Sequence, residues 1–251
     1  MPLDRDRAPV AARAAALNAR YRHHAAADVL ERALRDAHVG RVAMVSSFGA
    51  ESVALLHLVS VIDRTTPVLF VDTRMLFAET LAYQADVARR LGLTDVRRIR
   101  PRALDAAIED RDGTLHRRDP DACCDLRKTR PLERALGDFD AWITGRKRYQ
   151  AATRATLDFF EPDGATRLKI NPLAHWTPQD VRDYLDNNSL PRHPLVARGY
   201  PSIGCAPCTS PVAAGEDPRA GRWRGRDKEE CGIHIVDGRI VRDPAQTGDA
   251  G

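Results

Sequence analysis

No stretch of this 251-residue chain approaches the ~20 consecutive apolar residues that a membrane helix requires. The opening residues, Met1-Pro2-Leu3-Asp4-Arg5, do not read as a secretory signal. An excess of one charge is also missing. Lys and Arg number 39 against 35 Asp and Glu, and the net charge of +4 does not argue for nucleic acid. Clustered cations would instead suit a small anionic substrate. Cysteines are few, five in all. Their odd number, with no secretory segment, argues against a disulfide frame. The Gly-Lys-Ser/Thr of a Walker A loop is absent too. These absences leave a soluble protein in a reducing, cytoplasmic setting, long enough for one α/β domain with a full core.

The five cysteines are not scattered. Cys205 and Cys208 flank an Ala-Pro turn, which lets both sulfurs point at one centre. Cys123 and Cys124 are adjacent, within Asp119-Pro120-Asp121-Ala122-Cys123-Cys124-Asp125. Four thiolates can hold a structural zinc or an iron–sulfur cluster. The adjacent pair favours the cluster, since neighbouring side chains diverge on most backbones and a tight local geometry is needed to bring both to one centre. A redox pair at Cys205 and Cys208 alone would leave Cys123 and Cys124 unexplained. Cys231 stands apart, in Glu230-Cys231-Gly232-Ile233-His234, after a Gly- and Arg-rich stretch. Nearby cations would lower its pKa and make it a nucleophile, whereas Glu229 and Glu230 oppose this.

Along the chain, residues 1–40 read as an Ala- and Arg-rich helical segment for packing or for pairing two copies. Val42-Ala43-Met44-Val45 is a buried strand. It runs into Ser46-Ser47-Phe48-Gly49-Ala50-Glu51-Ser52 and then an apolar helix from Val53. Strand, Ser/Gly loop and helix together point backbone N–H groups at an anion. Val68-Leu69-Phe70-Val71 is a second continuous apolar strand, typical of a parallel sheet. It ends at Asp72-Thr73, where ligands bind in open α/β sheets. Val96 to Ile99 is a third strand, and Ala103 to Arg111 a helix. Ala141-Trp142-Ile143-Thr144 is a fourth strand. The basic run Gly145-Arg146-Lys147-Arg148 follows it, with Arg154 nearby, and suits phosphate. Arg167 to Asn171 reads as an edge or late strand. Thr177 caps a helix that has Pro178 in its first turn. Residues 41–208 make the α/β domain, and residues 209–251, which lack hydrophobic periodicity, make a flexible tail carrying Cys231.

The adjacent cysteines, the Cys-Ala-Pro-Cys and the Glu-Cys-Gly-Ile-His together resemble the assimilatory adenylyl-sulfate (APS) reductases, within the APS/PAPS (sulfonucleotide) reductase family. The resemblance runs from about Val42 to His234. It implies a three-layer α/β fold with a mostly parallel sheet, the adenine-nucleotide hydrolase-like arrangement of PP-loop proteins. It implies a [4Fe–4S] cluster on Cys123, Cys124, Cys205 and Cys208, and a nucleophilic Cys231. Ser46, Ser47, Gly49, Glu51 and Ser52 resemble the modified PP-loop that binds the anionic end of the substrate. Asp72, Thr73, Gly145, Arg146, Arg148 and Arg154 match other substrate-binding positions. Lys128, which links cluster and active site, and Arg219, Arg222 and His234 match residues that act with the nucleophile. The family's Asp-Thr-Gly reads Asp72-Thr73-Arg74 here, so Arg74 is strained if that position needs a positive φ, or adds a cation if it does not. The implied activity is reduction of APS to sulfite and AMP through an S-sulfocysteine, with thioredoxin or a glutaredoxin-like dithiol as donor, in sulfate assimilation towards cysteine. Two alternatives stand beside it. One is the same chemistry on PAPS. The other is an ATP-using PP-loop thiolation enzyme with zinc on the four cysteines, although Phe48 and Glu51 depart from that class's Ser-Gly-Gly-x-Asp-Ser.

Overall fold

The computed structural model describes residues 8–225. The Ala-rich start forms α1 (Val10–Tyr21) and α2 (Ala26–Arg35). Strands and helices then alternate through β1 (Val42–Ser46), α3 (Ser52–Ile62), β2 (Val68–Val71), α4 (Ala78–Leu91) and β3 (Val96–Ile99). Next come α5 (Ala103–Glu109), α6 (Leu115–Arg118) and α7 (Pro120–Cys124). A π-helical turn over Asp125–Thr129 runs directly into α8 (Arg130–Leu136). The remaining elements are β4 (Ala141–Ile143), β5 (Phe160–Asp163), β6 (Arg167–Ile170) and α9 (Pro178–Asn187). Among the described residues, no helix is long and apolar enough to cross a membrane.

Local chemistry explains the boundaries. All four residues of β2 are buried, as a strand covered on both faces requires. Gly92 ends α4 with φ 64°, which glycine adopts without steric cost. Thr177 accepts from Asp180 N, Asp180 returns a carboxylate to Thr177 N, and Pro178 sits in the first turn, so α9 begins where the sequence reading put it.

The six strands lie in the order β3-β2-β1-β4-β6-β5. Every pairing is parallel except β5 with β6. The chain winds outward from β1 to β3 and then restarts at β4 on the other side of β1. The strand order therefore reverses between β1 and β4, the place where open α/β sheets bind ligands. One face of the sheet meets the main core, which includes α3 residues such as Leu55, Leu56 and Val59. The other meets Leu132 and Leu136 of α8.

Three features differ from the sequence reading. The strand at Arg167–Ile170 is interior, because β5 adds an antiparallel edge that the sequence reading did not contain. α1 covers that edge. Asn18 Nδ2 donates to the Phe160 carbonyl at 2.8 Å and Asn18 Oδ1 accepts from Phe160 N at 2.9 Å, so one side chain replaces a neighbouring strand. The chain beyond Cys208 also stays with the domain through the last described residues. Ser210 N donates to Gly221 O at 2.8 Å, Trp223 N donates to Cys208 O at 3.1 Å, and the Trp223 indole is buried. Backbone bridges and one indole hold this segment, and neither leaves a repeating apolar pattern in sequence.

Three large residues occupy left-handed backbone conformations, Phe48 at φ 49°, Arg74 at φ 61° and Trp223 at φ 49°. The strain amounts to about 1–2 kcal/mol each. Phe48 offsets it by complete burial of its ring, edge-on to Phe70 at 5.2 Å. A fully buried Phe contributes roughly 1.5–3 kcal/mol. The Arg74 side chain is exposed and has no such offset. Arg74→Gly should therefore raise stability by roughly 0.5–1 kcal/mol once glycine's extra unfolded-state entropy is subtracted. Thermal unfolding should show a Tm higher by a few degrees, and a lower Tm would mean that the Arg side chain, not the turn, governs this position.

Candidate active site

A cleft of about 240 Å³ opens beyond the carboxyl ends of β1 and β4. The loop after β1 forms one wall. Ser46 Oγ accepts from Phe48 N at 3.1 Å, and Ser52 Oγ accepts from Gly49 N at 3.0 Å. Those two N–H groups are thus engaged inside the loop instead of pointing free at a guest, and the serines set its shape. Ser46, Ser47, Gly49, Glu51 and Ser52 all line the cleft.

Glu51 turns across to the opposite wall. It accepts from Lys147 Nζ at 2.9 Å, from Tyr149 OH at 2.9 Å and from Gln150 Nε2 at 3.2 Å. Burial works against its charged form, but the Lys147 ammonium and these hydrogen bonds hold Glu51 below the usual carboxylate range. Burial lowers the Lys147 pKa in turn, with Glu51 opposing. Lys147, Tyr149 and Gln150 were not among the sequence candidates, and Lys147 stood out only as part of a basic run. Gly145, Arg146 and Arg154 line the same wall. Arg146 is held by Glu161 and by Asn171 Oδ1, and Arg154 by Gln150 Oε1 at 2.7 Å.

Two sequence candidates stand back from the cleft. Arg148 donates to Leu157 O at 2.8 Å and pairs with Asp158 at 3.5 Å. Asp72 accepts from Arg100 Nε at 2.8 Å and from Arg74 N at 3.0 Å, so its carboxylate shapes the turn after β2. Neither lines the cleft. Thr73, beside Asp72, does line it, and its Oγ1 lies 3.2 Å from Cys205 Sγ.

A second, small cavity is lined by all four of Cys123, Cys124, Cys205 and Cys208, none of them in a disulfide. Asp119 caps α7 by accepting from Asp121 N and Ala122 N. The helix widens into the π-turn directly after Cys124, which is the local irregularity that an adjacent pair needs. Burial, then neighbouring Cys124, pushes the Cys123 thiol up to about 12, with Arg127 opposing. Among the described residues, no three His, Cys, Asp or Glu side chains form a group that could hold a metal ion. Arg127 also lines this cavity. It pairs with buried Asp110 at 2.6 Å and donates to Thr73 O at 3.1 Å, while its buried Nε–H meets no acceptor.

The two cavities touch. Lys128 and Cys205 line both, and Arg219 and Arg222 line the cleft with them. Cys231 and His234 lie outside the described residues. The sequence reading missed Arg127, whose only signal is its place beside Lys128. It also missed Gly204 and Trp223, which gave no signal beyond the cysteine motif and the basic stretch.

A phosphoadenosine phosphosulfate reductase domain matches residues 41–211. A Mesorhizobium japonicum protein named adenosine 5'-phosphosulfate reductase is 52% identical over 226 residues, covering 90% of this chain and 89% of its own length. A Chelativorans protein of the same name is 48% identical over 220 residues, covering 87% and 89%. The crystal structure of the phosphoadenylyl-sulfate (PAPS) reductase from Candida auris superposes with a TM-score of 0.68 at 25% identity, covering 84% of this chain and 99% of that one. With the domain match spanning most of the chain, and these relatives aligned over nearly all of it, the protein belongs to the phosphoadenosine phosphosulfate reductase family.

Proposed function

We propose that this protein reduces the sulfate group of adenosine 5'-phosphosulfate to sulfite, releasing AMP, with Cys231 as the nucleophile. The observation that carries this reading is the shared wall between the cleft and the four-cysteine cavity, formed by Lys128 and Cys205. A cleft lined by cations thus adjoins a cavity lined by four cysteines, which is the arrangement this reading needs.

The donor set suits an iron–sulfur cluster better than one zinc ion. The four thiols line one cavity, with Arg127 and Lys128 in its wall. The Arg127 Nε–H, buried without an acceptor in a residue of the cavity wall, fits a guest that offers sulfur as acceptor. Cys123, Cys124, Cys205 and Cys208 would hold a [4Fe–4S] cluster, binding it as thiolates and so releasing protons on loading. When bound, such a cluster fixes the two cysteine segments together and sets the local electric field.

The reaction balances with one dithiol as co-reactant. The Cys231 thiolate attacks the sulfate sulfur. A sulfur–sulfur bond forms as the sulfur–oxygen bond to the AMP phosphate breaks, and that electron pair leaves with AMP. An S-sulfocysteine remains on Cys231. A thiolate of a thioredoxin-type dithiol then attacks Cys231 Sγ, and sulfite leaves with the sulfur–sulfur pair. The second donor thiol closes the donor's disulfide and frees Cys231, so the dithiol supplies both electrons. Lys128, Arg219 and Arg222 line the cleft, where their charge offsets charge developing on sulfate and phosphate oxygens. His234 is assigned beside Cys231 by its match to the family's terminal motif.

The Candida auris neighbour favours a second reading, in which PAPS is the substrate of the same chemistry. The ratio of kcat/KM for the two nucleotides decides between them, because it measures differential transition-state binding. A clear preference for APS is expected, and equality or a preference for PAPS overturns the substrate assignment.

Purified protein should be brown, with iron and acid-labile sulfide. Replacing Cys123, Cys124, Cys205 or Cys208 by Ser should remove both together with activity. Colourless protein holding stoichiometric zinc would end the cluster reading. Cys231→Ser should keep its iron and bind nucleotide. Wild type mixed with APS and no thioredoxin should gain one sulfite-sized mass on the Cys231 peptide, lost again on adding reduced thioredoxin. An adduct on Cys205 or Cys208, or wild-type turnover by Cys231→Ser, would refute the mechanism.

A further inference from the structure

Gly204 precedes the second cysteine pair and also lines the cleft. Its backbone does not require glycine, since its φ lies outside the positive region that other glycines occupy. Its N–H donates to Thr209 Oγ1 at 3.2 Å, a bond any residue can make. What excludes a larger residue is one neighbour. A Cβ built on Gly204 would stand 2.6 Å from Arg222 Cζ and 3.1 Å from Arg222 Nε, and the nearest atoms it meets all belong to that guanidinium. From the adjoining position, the Trp223 ring centroid lies 4.4 Å from the same guanidinium carbon. That spacing gives a cation–π contact. The indole is itself anchored, being buried with its backbone N–H on Cys208 O at 3.1 Å. Arg222 is bridged to Thr209 as well. Bare backbone at Gly204 and an aromatic ring at Trp223 thus both meet one cation that lines the cleft, and both are attached to the cysteine loop.

We propose that Gly204 and Trp223 are positioning residues that clamp the Arg222 guanidinium against the terminal anionic group of the bound nucleotide, a proposal that rests on the sulfonucleotide reading for the ligand class. The clamp also assigns a task to the cysteine loop. Holding Cys205 and Cys208 in place holds Arg222 in the cleft.

The clashing atoms end a long, flexible side chain, so adding a Cβ displaces the guanidinium without breaking the fold. That separates binding from folding. ADP serves as probe, its β-phosphate standing in for the sulfate, and AMP serves as the control without that group. Calorimetry on iron-loaded protein should show Gly204→Ala keeping wild-type iron content while weakening ADP about tenfold, the scale of one charge-assisted contact to an anion. AMP affinity should change less than threefold. In an Arg222→Ala background, adding Gly204→Ala should change ADP affinity less than twofold, because the clamped group is already gone. Trp223→Leu should reproduce the selective loss of ADP, and Trp223→Phe should restore most of it. These Trp variants carry the test if Gly204→Ala does not fold. Unchanged ADP affinity in Gly204→Ala and Trp223→Leu overturns the clamp. So does equal weakening of AMP and ADP, or a full further loss in the Arg222→Ala background. Wild type that binds neither nucleotide overturns both the clamp and the ligand reading, whereas wild type that binds both leaves any failure with the clamp alone.

Discussion

Thr73 joins the two halves of the site. Its hydroxyl lies 3.2 Å from Cys205 Sγ, and its carbonyl accepts from buried Arg127 at 3.1 Å. One residue at the carboxyl end of β2 therefore touches both cysteine segments, the 205–208 loop by side chain and the 123–129 segment by main chain. Ala206 N strengthens the first join by donating to Met75 O at 2.8 Å. The second depends on the π-turn, whose extra residue per turn leaves Leu126, Arg127 and Lys128 all buried. Thr73 also lines the cleft. Thr73 therefore joins Lys128 and Cys205 as a link between the cysteine segments and the cleft.

Two cations on the cleft wall are already neutralised by acids. Lys147 and Arg146 each carry an acidic partner, Glu51 and Glu161. Their charge is largely balanced before any ligand arrives, and their role is to fix the wall formed after β4. Removing the acid is the costly change in each pair, because the cation left behind is the buried member. Glu51 is thus better described as the staple between the β1 and β4 loops than as a ligand of an anion. Lys128, Arg219 and Arg222 also line the cleft, and Lys128 lines the four-cysteine cavity as well.

Continuous apolar runs were enough to place β1, β2 and β4 and hence the parallel core, since strands buried on both faces have nowhere to put polar residues. β5 was not legible. Phe160-Glu161-Pro162-Asp163 carries two acids and a proline, and proline is tolerated because this is an edge strand. The four cysteines were legible as a group from type and spacing, and all four line one cavity. Asp72 and Arg148 were placed near the substrate because they follow strands, but position along a strand does not say which way a side chain turns, and each found a partner elsewhere. The question left open at Arg74 was geometric, and φ 61° answers it in favour of strain. Gly204 was invisible for a different reason. Its requirement comes from a guanidinium 18 positions further on, and no local pattern carries that information.

The return of residues 209–225 to the domain bears on where a nucleophile can be. A chain that left at Cys208 would put 23 residue steps between its last fixed point and Cys231. With Trp223 buried and Arg222 on the cleft wall, the count from a cleft residue to Cys231 falls to nine steps, a span of at most about 30 Å when fully extended. Burying one indole on the cysteine loop therefore does two things at once. The ring stacks against the Arg222 guanidinium at the cleft, and its burial cuts to nine the residue steps that separate the cleft wall from the proposed nucleophile, Cys231.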